Sequence, residues 1–138
     1  MGEQEIPISS KSGSRALWIK GESLARKFVK KRGFKILKRN YASKTGEIDI
    51  VAYDRGTIVF VEVKARISED YGRPELAVTR EKRRKIVKTA LHYLMVNNIS
   101  DRDYRFDVVS IVFPKEEKHP KIELFQGAFT SVGLFDRA

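Results

Sequence analysis

The sequence has no cysteine and no long apolar run, and each absence excludes a class of protein. Without cysteine, the chain of 138 residues can form no disulfide bond, no zinc–thiolate site and no cysteine nucleophile, which is consistent with a reducing cytoplasm. No apolar segment approaches the roughly 20 residues that span a membrane. The first residues, MGEQEIPISSKSGSR, lack the apolar core of a signal peptide. We therefore expect a cytoplasmic protein that does not associate with membranes.

Residue patterns for several common enzyme chemistries are also missing. The chain has two histidines, His92 and His119, and neither has a partner at metal-ligand spacing. No Ser/His/Asp arrangement and no glycine-rich phosphate loop can be recognised. The sequence therefore does not predict a histidine metal site, a serine nucleophile or a phosphate-binding loop.

Acidic residues are few where basic residues are many. The formal net charge is +10, and between Lys20 and Lys44 ten basic residues accompany a single acid, Glu22. A second basic cluster, Arg80–Lys88, contains only Glu81 as an acid. A solvated helix face usually mixes both signs, so these clusters favour a polyanionic partner. Nucleic acid is a better candidate than an anionic membrane.

Hydrophobic periodicity predicts two helices and five strands in one domain, residues 14–138, after a flexible leader at residues 1–13. The first helix is predicted from about Ser14 to Arg32, and the second follows an N-cap at Thr79 and ends near Asn97. Strands are predicted at 34–41, 46–53, 57–65, 104–113 and 121–129. The second helix has a predicted core stripe of Ile86, Val87, Ala90, Leu91 and Leu94. The order helix-strand-strand-strand-helix-strand-strand predicts an α/β sandwich around a central mixed sheet.

The second and third strands, GEIDIVAYDRGTIVFVEVKAR at 46–66, carry charged residues inside an apolar hairpin. Side chains of a strand alternate between faces, so Ile48 and Ile50 are expected on one face and Asp49 on the other. If the loop has two or four residues, the numbers of antiparallel partners add to 111 and Asp49 lies opposite Glu62. A loop of three residues would instead put these two carboxylates on opposite faces.

Two facing carboxylates repel each other, and a divalent metal ion would relieve that repulsion. Mg²⁺ takes oxygen ligands from Asp and Glu, so Asp49 and Glu62 are candidate ligands for Mg²⁺ or Mn²⁺. Lys64 shares the face of Glu62 and could orient a water or neutralise charge on a phosphate. Glu22, at the border of the first helix's apolar arc, is a candidate third acid. The alternative is that these acids face solvent, with an ordinary ion pair between Glu47 and Lys64.

These motifs resemble a known family. The matching stretches are Gly21-Glu22, RNY at 39–41, GEIDIVA at 46–52, VFVEVKAR at 59–66, Thr79 with Lys82, and RFDVVSI at 105–111. They are similar to the YraN-like family of predicted endonucleases, in the PD-(D/E)XK nuclease superfamily and its archaeal Holliday-junction-resolvase-like branch. The resemblance implies a restriction-endonuclease-like core in which Glu22, Asp49 and Glu62 bind metal and Glu62 and Lys64 are catalytic. Ile48 replaces the proline of the motif, and the resemblance leaves a homodimer open.

The leading hypothesis is therefore a metal-dependent nucleic-acid phosphodiesterase that acts on DNA rather than RNA, including branched or structured DNA. Basic residues near the acidic motifs are the candidate phosphate contacts: Arg39, Lys44, Arg66, Arg73, Lys82 and Arg83. One alternative is a non-catalytic nucleic-acid-binding module that retains a nuclease fold. Another is an interaction subunit whose basic surface meets an acidic protein.

Overall fold

The computed structural model describes residues 12–67, 78–114 and 119–136, with side chains from Arg15 onward. The elements are α1 (Ser12–Lys31), β1 (Lys35–Ser43), β2 (Gly46–Asp54), β3 (Thr57–Arg66), α2 (Arg80–Val96), β4 (Asp103–Val112) and β5 (Lys121–Phe129). Their order is the predicted one, and α1 begins two residues before the predicted start. The predicted leader lies outside the described residues as far as residue 11, and so does Arg73.

The five strands form one mixed sheet in the order β1-β2-β3-β4-β5. Strands β3 and β4 are parallel, and the other neighbouring pairs are antiparallel. A parallel pair needs a crossover connection, and α2 is part of that connection. The fold is thus an α/β sandwich that matches a nuclease-like sandwich. None of the helices in the described part of the chain has the length and apolar character needed to cross a bilayer.

Each helix covers one face of the sheet with its apolar side. Ala25 and Val29 of α1 are buried in one cluster with the strand residues Ile50, Ala52, Val59, Val61, Val63, Val109 and Ile111. Ile86, Val87 and Ala90 of α2 belong to a second cluster with Ile48, Val51, Ile58, Phe60, Phe106 and Val108. The alternation of side chains along each strand divides them between the two clusters. We call the two sides of the sheet the α1 face and the α2 face.

The hairpin between β2 and β3 has the predicted register. Its two-residue turn has positive φ at both positions, 47° at Arg55 and 93° at Gly56, as a type I′ turn requires. Pairing runs from Asp54↔Thr57 to Ile50↔Val61, and the numbers of every pair add to 111. The prediction of the register from the turn is therefore confirmed over these five pairs.

The predicted alternation fails at one position of β2. Ile48 was expected on the same face as Ile50, but it packs in the cluster of the α2 face, whereas Ile50 packs on the α1 face. Asn40 and Asp49 lie between the pairs Arg39↔Ile50 and Tyr41↔Ile48, and Asn40 has a φ of 50°. A left-handed residue interrupts the regular pleat, so the strand changes face at Asp49.

The α2 stripe differs from the prediction by one residue. Thr79 is the N-cap, as predicted, and its side chain accepts a hydrogen bond from the Lys82 N–H at 3.1 Å. Leu91 was placed in the core stripe, but it is 47 % exposed, while Tyr93 is buried. At roughly 100° per residue, Leu91 lies about 140° from Ile86, outside the buried arc, and Tyr93 lies within about 20° of it.

A buried ionic network closes the hairpin end of the sheet. Arg105 donates to Asp107 Oδ1 at 3.0 Å and to Asp54 Oδ2 at 3.0 Å. Asp107 is fully buried and also accepts from the Gly127 N–H at 2.9 Å. Because each buried oxygen has a donor, Asp107 has a structural role, and it ties the middle of β4 to the hairpin end through Arg105.

Candidate functional site

Asp49 lies where β2 and β3 separate. The pairing of these strands extends to Ile50↔Val61, and at the next position the Asp49 Oδ2 atom accepts a hydrogen bond from the Val63 N–H at 2.7 Å. The side chain therefore occupies the position that a backbone carbonyl would hold in a continued ladder. This bond fixes the half-buried carboxylate of Asp49 next to β3, where its charge and that of Glu62 interact.

Glu22 reaches the same region from α1 because the helix approaches β3 closely. A Cβ atom on Gly21 would lie only 2.9 Å from the Ala65 Cβ atom, so this contact requires glycine. The next residue, Glu22, is 4 % exposed. With its nitrogen turned toward Glu22, the Asn40 amide donates to both carboxylate oxygens at 3.2 and 2.9 Å. Arg26 lies 3.6 Å from the same carboxylate.

The carboxyl groups of Glu22 and Asp49 lie close enough to interact with each other. Burial raises the pKa of Glu22 above its ordinary value, against the opposing charge of Arg26. Burial also raises the pKa of Asp49 well above its ordinary value, and the negative charges of Glu62 and Glu22 raise it further. Because the pKa values of both acids are raised, this pair holds a proton more readily than isolated acids do.

Glu62 is paired with Lys82, which lies in the first turn of α2. The Lys82 Nζ atom lies 2.7 Å from Glu62 Oε2, and the Glu62 side chain is 8 % exposed. Burial lowers the pKa of Lys82, but the charge of Glu62, its hydrogen bond and the charge of Asp49 together raise that pKa above the ordinary value. The ammonium group therefore stays charged beside the acids.

Lys64 lies on the same face as Glu62. Val61 and Val63 are buried on the α1 face and Phe60 on the α2 face, so alternation along β3 places Glu62 and Lys64 on the α2 face. Lys64 is half-buried and lies beside Ser110 of β4. The predicted proximity of Lys64 to Glu62 is thus consistent with the strand geometry.

The structure groups the predicted acids through Asp49, which interacts with both Glu22 and Glu62. Within the described residues, no group of three or more carboxylate, imidazole or thiol side chains is arranged to hold a metal ion as the side chains stand. The chemistry of the donors still fits a hard divalent cation, because Asp49 and Glu62 supply oxygen atoms and already attract the ammonium of Lys82. The Lys82 ammonium is the cation that neutralises Glu62 in this structure.

The predicted phosphate contacts that fall within the described residues lie in different environments. Arg39 is exposed on β1 and its charge acts on Glu22. Lys44 is exposed in the β1–β2 turn, where it lines a groove with Lys88 of α2. Arg66 is buried at the end of β3. As phosphate ligands all six remain predictions.

Three arginines of the second basic cluster have intramolecular contacts that the sequence did not predict. Arg83 Nε donates to the Val78 carbonyl at 2.9 Å, and its guanidinium lies over the Phe129 ring. Arg84 Nε donates to the Leu134 carbonyl at 2.7 Å, and Arg80 donates to the Gly133 carbonyl. These arginines therefore attach α2 to the connection that precedes it and to the segment after β5. The sequence analysis also missed the role of Asn40 at Glu22. The signal available in the sequence was the residue type, because Asn adopts positive φ more readily than other residues with a side chain.

The structure is thus an α/β protein whose acidic side chains meet where two central strands separate, with Lys64 and Lys82 nearby. A model of the uncharacterised protein family UPF0102 matches residues 21–111, and the chain belongs to this family. It is 49 % identical over 116 residues to a UPF0102 protein of Geobacter metallireducens, covering 84 % of this chain and 93 % of the relative. It is 43 % identical over 131 residues to one from Pelobacter propionicus, covering 93 % of each chain.

Proposed function

We propose that this protein is a metal-dependent nucleic-acid phosphodiesterase of the PD-(D/E)XK type, an endonuclease that acts on DNA. One observation carries the proposal: the Asp49 carboxylate is fixed at the separation of β2 and β3, beside Glu62 and within reach of Glu22. Burial and mutual repulsion make this arrangement unfavourable for folding alone. A cation-binding role explains why the acids are held together.

The residues would divide the chemistry as follows. Asp49 and Glu62 would hold Mg²⁺ or Mn²⁺, which when bound supplies an activated water and stabilises charge on the phosphate. Lys64, on the face of Glu62, would orient the attacking water and neutralise charge on the scissile phosphate. Glu22, whose charge acts on Asp49, would be an additional acid of the site. Asn40 and Arg26 would hold Glu22 in place.

The DNA would approach across a surface that carries exposed lysines. Lys44 and Lys88 line one groove between the β1–β2 turn and α2. Phosphate contacts of this kind position a substrate without reading its sequence. A cytoplasmic location and a homodimer that cuts branched DNA belong to the same proposal. The location rests on the lack of cysteine and of a signal-peptide core in the sequence, and the homodimer and branched DNA rest on the family resemblance.

The direct test is cleavage of labelled DNA. The full chain would be incubated with Mn²⁺ and a panel of duplex, branched, flap and single-stranded substrates, with single-stranded RNA included. We expect cleavage of at least one DNA substrate, a loss of about 100-fold or more in Lys64→Met, and no cleavage in Asp49→Asn or Glu62→Gln. Asp101→Asn, an exposed acid near the hairpin end of the sheet, is the matched control and should cleave like the parent.

One observation favours the non-catalytic alternative: the Lys82 ammonium already neutralises Glu62 at a distance of 2.7 Å. A binding module that retains this fold would bind the same DNA with equal affinity in the parent and in Glu62→Gln. It would cleave no substrate at any Mn²⁺ concentration. That pair of results would exclude the phosphodiesterase and leave the binding function.

A further inference from the structure

Lys82 is an unexpected residue for its position in α2. It is the third residue of the helix, where its N–H donates to the Thr79 cap. The positive end of the helix dipole disfavours a cation in the first turn. The side chain nevertheless extends to Glu62 and ends 2.7 Å from a carboxylate oxygen. The attraction of Glu62 and Asp49 must therefore outweigh the helix dipole.

The Glu62 oxygen that contacts the Lys82 ammonium cannot also bind a metal ion without bringing two cations close together. Metal–oxygen bonds to Mg²⁺ are about 2.0–2.1 Å long, so an ion on Glu62 would lie within a few ångströms of the Lys82 nitrogen. Two cations this close repel strongly. A divalent ion also neutralises two carboxylates, Asp49 and Glu62, where one ammonium neutralises a single charge.

An open cavity beside the Lys82 side chain can accommodate it when it is displaced from Glu62. It is 47 % exposed and borders a cavity of about 330 Å³ between the first turns of α2 and the start of β2. The cavity is lined by Gly46, Glu47, Thr79, Glu81, Lys82, Lys85 and Ile86. A lysine has a flexible stem with rotatable donors, so its ammonium can leave Glu62 without movement of the helix.

We propose that Lys82 is the counter-ion of the metal-free site, that a divalent ion on Asp49 and Glu62 displaces it, and that the displaced ammonium then contacts a phosphate of the substrate. Metal binding and substrate binding would thereby be coupled through one side chain. This inference rests on the proposed function, because it requires the acids to bind a metal. It predicts that Lys82 weakens metal binding and strengthens DNA binding only when metal is present.

The first experiment is calorimetric titration of the full chain with Mn²⁺ alone. Lys82→Met keeps most of the stem and removes the charge, so it should bind Mn²⁺ up to about fivefold more tightly than the parent, the factor that a partly exposed ion pair represents. Lys85→Met is the matched control, since Lys85 lies on the same helix and is 3.9 Å from Glu81. It should bind Mn²⁺ within about twofold of the parent. Lys82→Gln provides a second variant, and circular dichroism checks folding.

The second experiment measures duplex DNA binding against salt concentration, with EDTA or with Ca²⁺. In Ca²⁺ the parent should show a slope steeper than that of Lys82→Met by about 0.9, the value for one phosphate contact. In EDTA the two slopes should agree.

The outcomes separate the inference from the proposed function. If Lys82→Met binds Mn²⁺ no better than the parent, or if Lys85→Met gains as much, displacement of Lys82 is wrong while metal binding stands. If the slopes also differ in EDTA, Lys82 contacts phosphate without displacement and the coupling is wrong. If neither the parent nor either Lys82 variant binds Mn²⁺, the proposed function fails and the inference fails with it.

Discussion

At the scale of single residues, Asp49 combines a favourable and an unfavourable interaction. Its carboxylate accepts the Val63 N–H at 2.7 Å, which satisfies a backbone donor where the ladder ends. Burial raises the pKa of this carboxylate well above the ordinary value, and the charges of Glu62 and Glu22 raise it further. The hydrogen bond needs an oxygen atom but not a negative charge. An amide could therefore keep the bond and remove the repulsion.

Asp49→Asn should leave the metal-free protein as stable as the parent or more stable at neutral pH. Repulsion between facing carboxylates costs on the order of 0.2–1 kcal/mol, which corresponds to a rise in Tm of about 1–4 °C. The measurement is thermal unfolding in EDTA. A variant that unfolds well below the parent would show that the carboxylate itself stabilises the fold.

The stability gain of Asp49→Asn should depend on pH with a defined sign. Because the folded pKa of Asp49 lies above its ordinary value of 3.8, the folded protein binds the proton more tightly than the unfolded chain. Stability of the parent therefore falls as pH rises from about 4 through the raised pKa. The difference between variant and parent should be small near pH 4 and increase toward neutral pH, as urea unfolding at several pH values can test. A difference that shrinks with rising pH would contradict the assignment.

At the scale of elements, the sequence predicted the local features well and missed those that depend on distant contacts. Arg55-Gly56 determined the register of the hairpin, because a two-residue turn permits one pairing. The change of face at Asp49 could not be predicted, since it involves Asn40 on another strand and a bond to Val63. The acids of the site were predictable because a carboxylate inside an apolar hairpin is unfavourable unless a cation or a hydrogen-bond donor compensates it. The ion pair of Glu62 with Lys82 could not be predicted from the sequence, because it depends on how α2 packs against the sheet.

The packing of α1 against β3 should make Gly21 indispensable. Alanine is favoured over glycine in a helix by about 1 kcal/mol, but an added Cβ would lie 2.9 Å from the Ala65 Cβ. Overpacking costs about 1–3 kcal/mol, so Gly21→Ala should lower stability by up to about 2 kcal/mol. Combining it with Ala65→Gly should recover part of that loss, and a double-mutant cycle measures the coupling. Lys27→Ala, an exposed position of α1, is the control. A stabilised Gly21→Ala without coupling to Ala65 would refute the close contact.

At the scale of the whole molecule, the excess of basic residues has two different uses. In α2, Arg80, Arg83 and Arg84 bind backbone carbonyls of neighbouring segments, so they contribute to the fold. Several lysines instead lie on exposed surface: Lys44, Lys85 and Lys88 around α2, and Lys27, Lys30 and Lys31 on α1. The net charge of +10 therefore overstates the charge available to a polyanion. Position, rather than net charge, should decide which lysines bind DNA.

Removing Lys44 and Lys88 together should weaken duplex DNA binding more than an equal loss of charge elsewhere. Both residues line the groove between the β1–β2 turn and α2, and each phosphate contact contributes about 0.9 to the salt slope. Lys44→Gln with Lys88→Gln should therefore lower the slope by about 1.8, measured by fluorescence anisotropy in EDTA. Lys30→Gln with Lys31→Gln removes the same charge from the end of α1 and should lower it by less than half as much. Equal effects of the two pairs would show that DNA responds to net charge alone, and the groove would lose its proposed role.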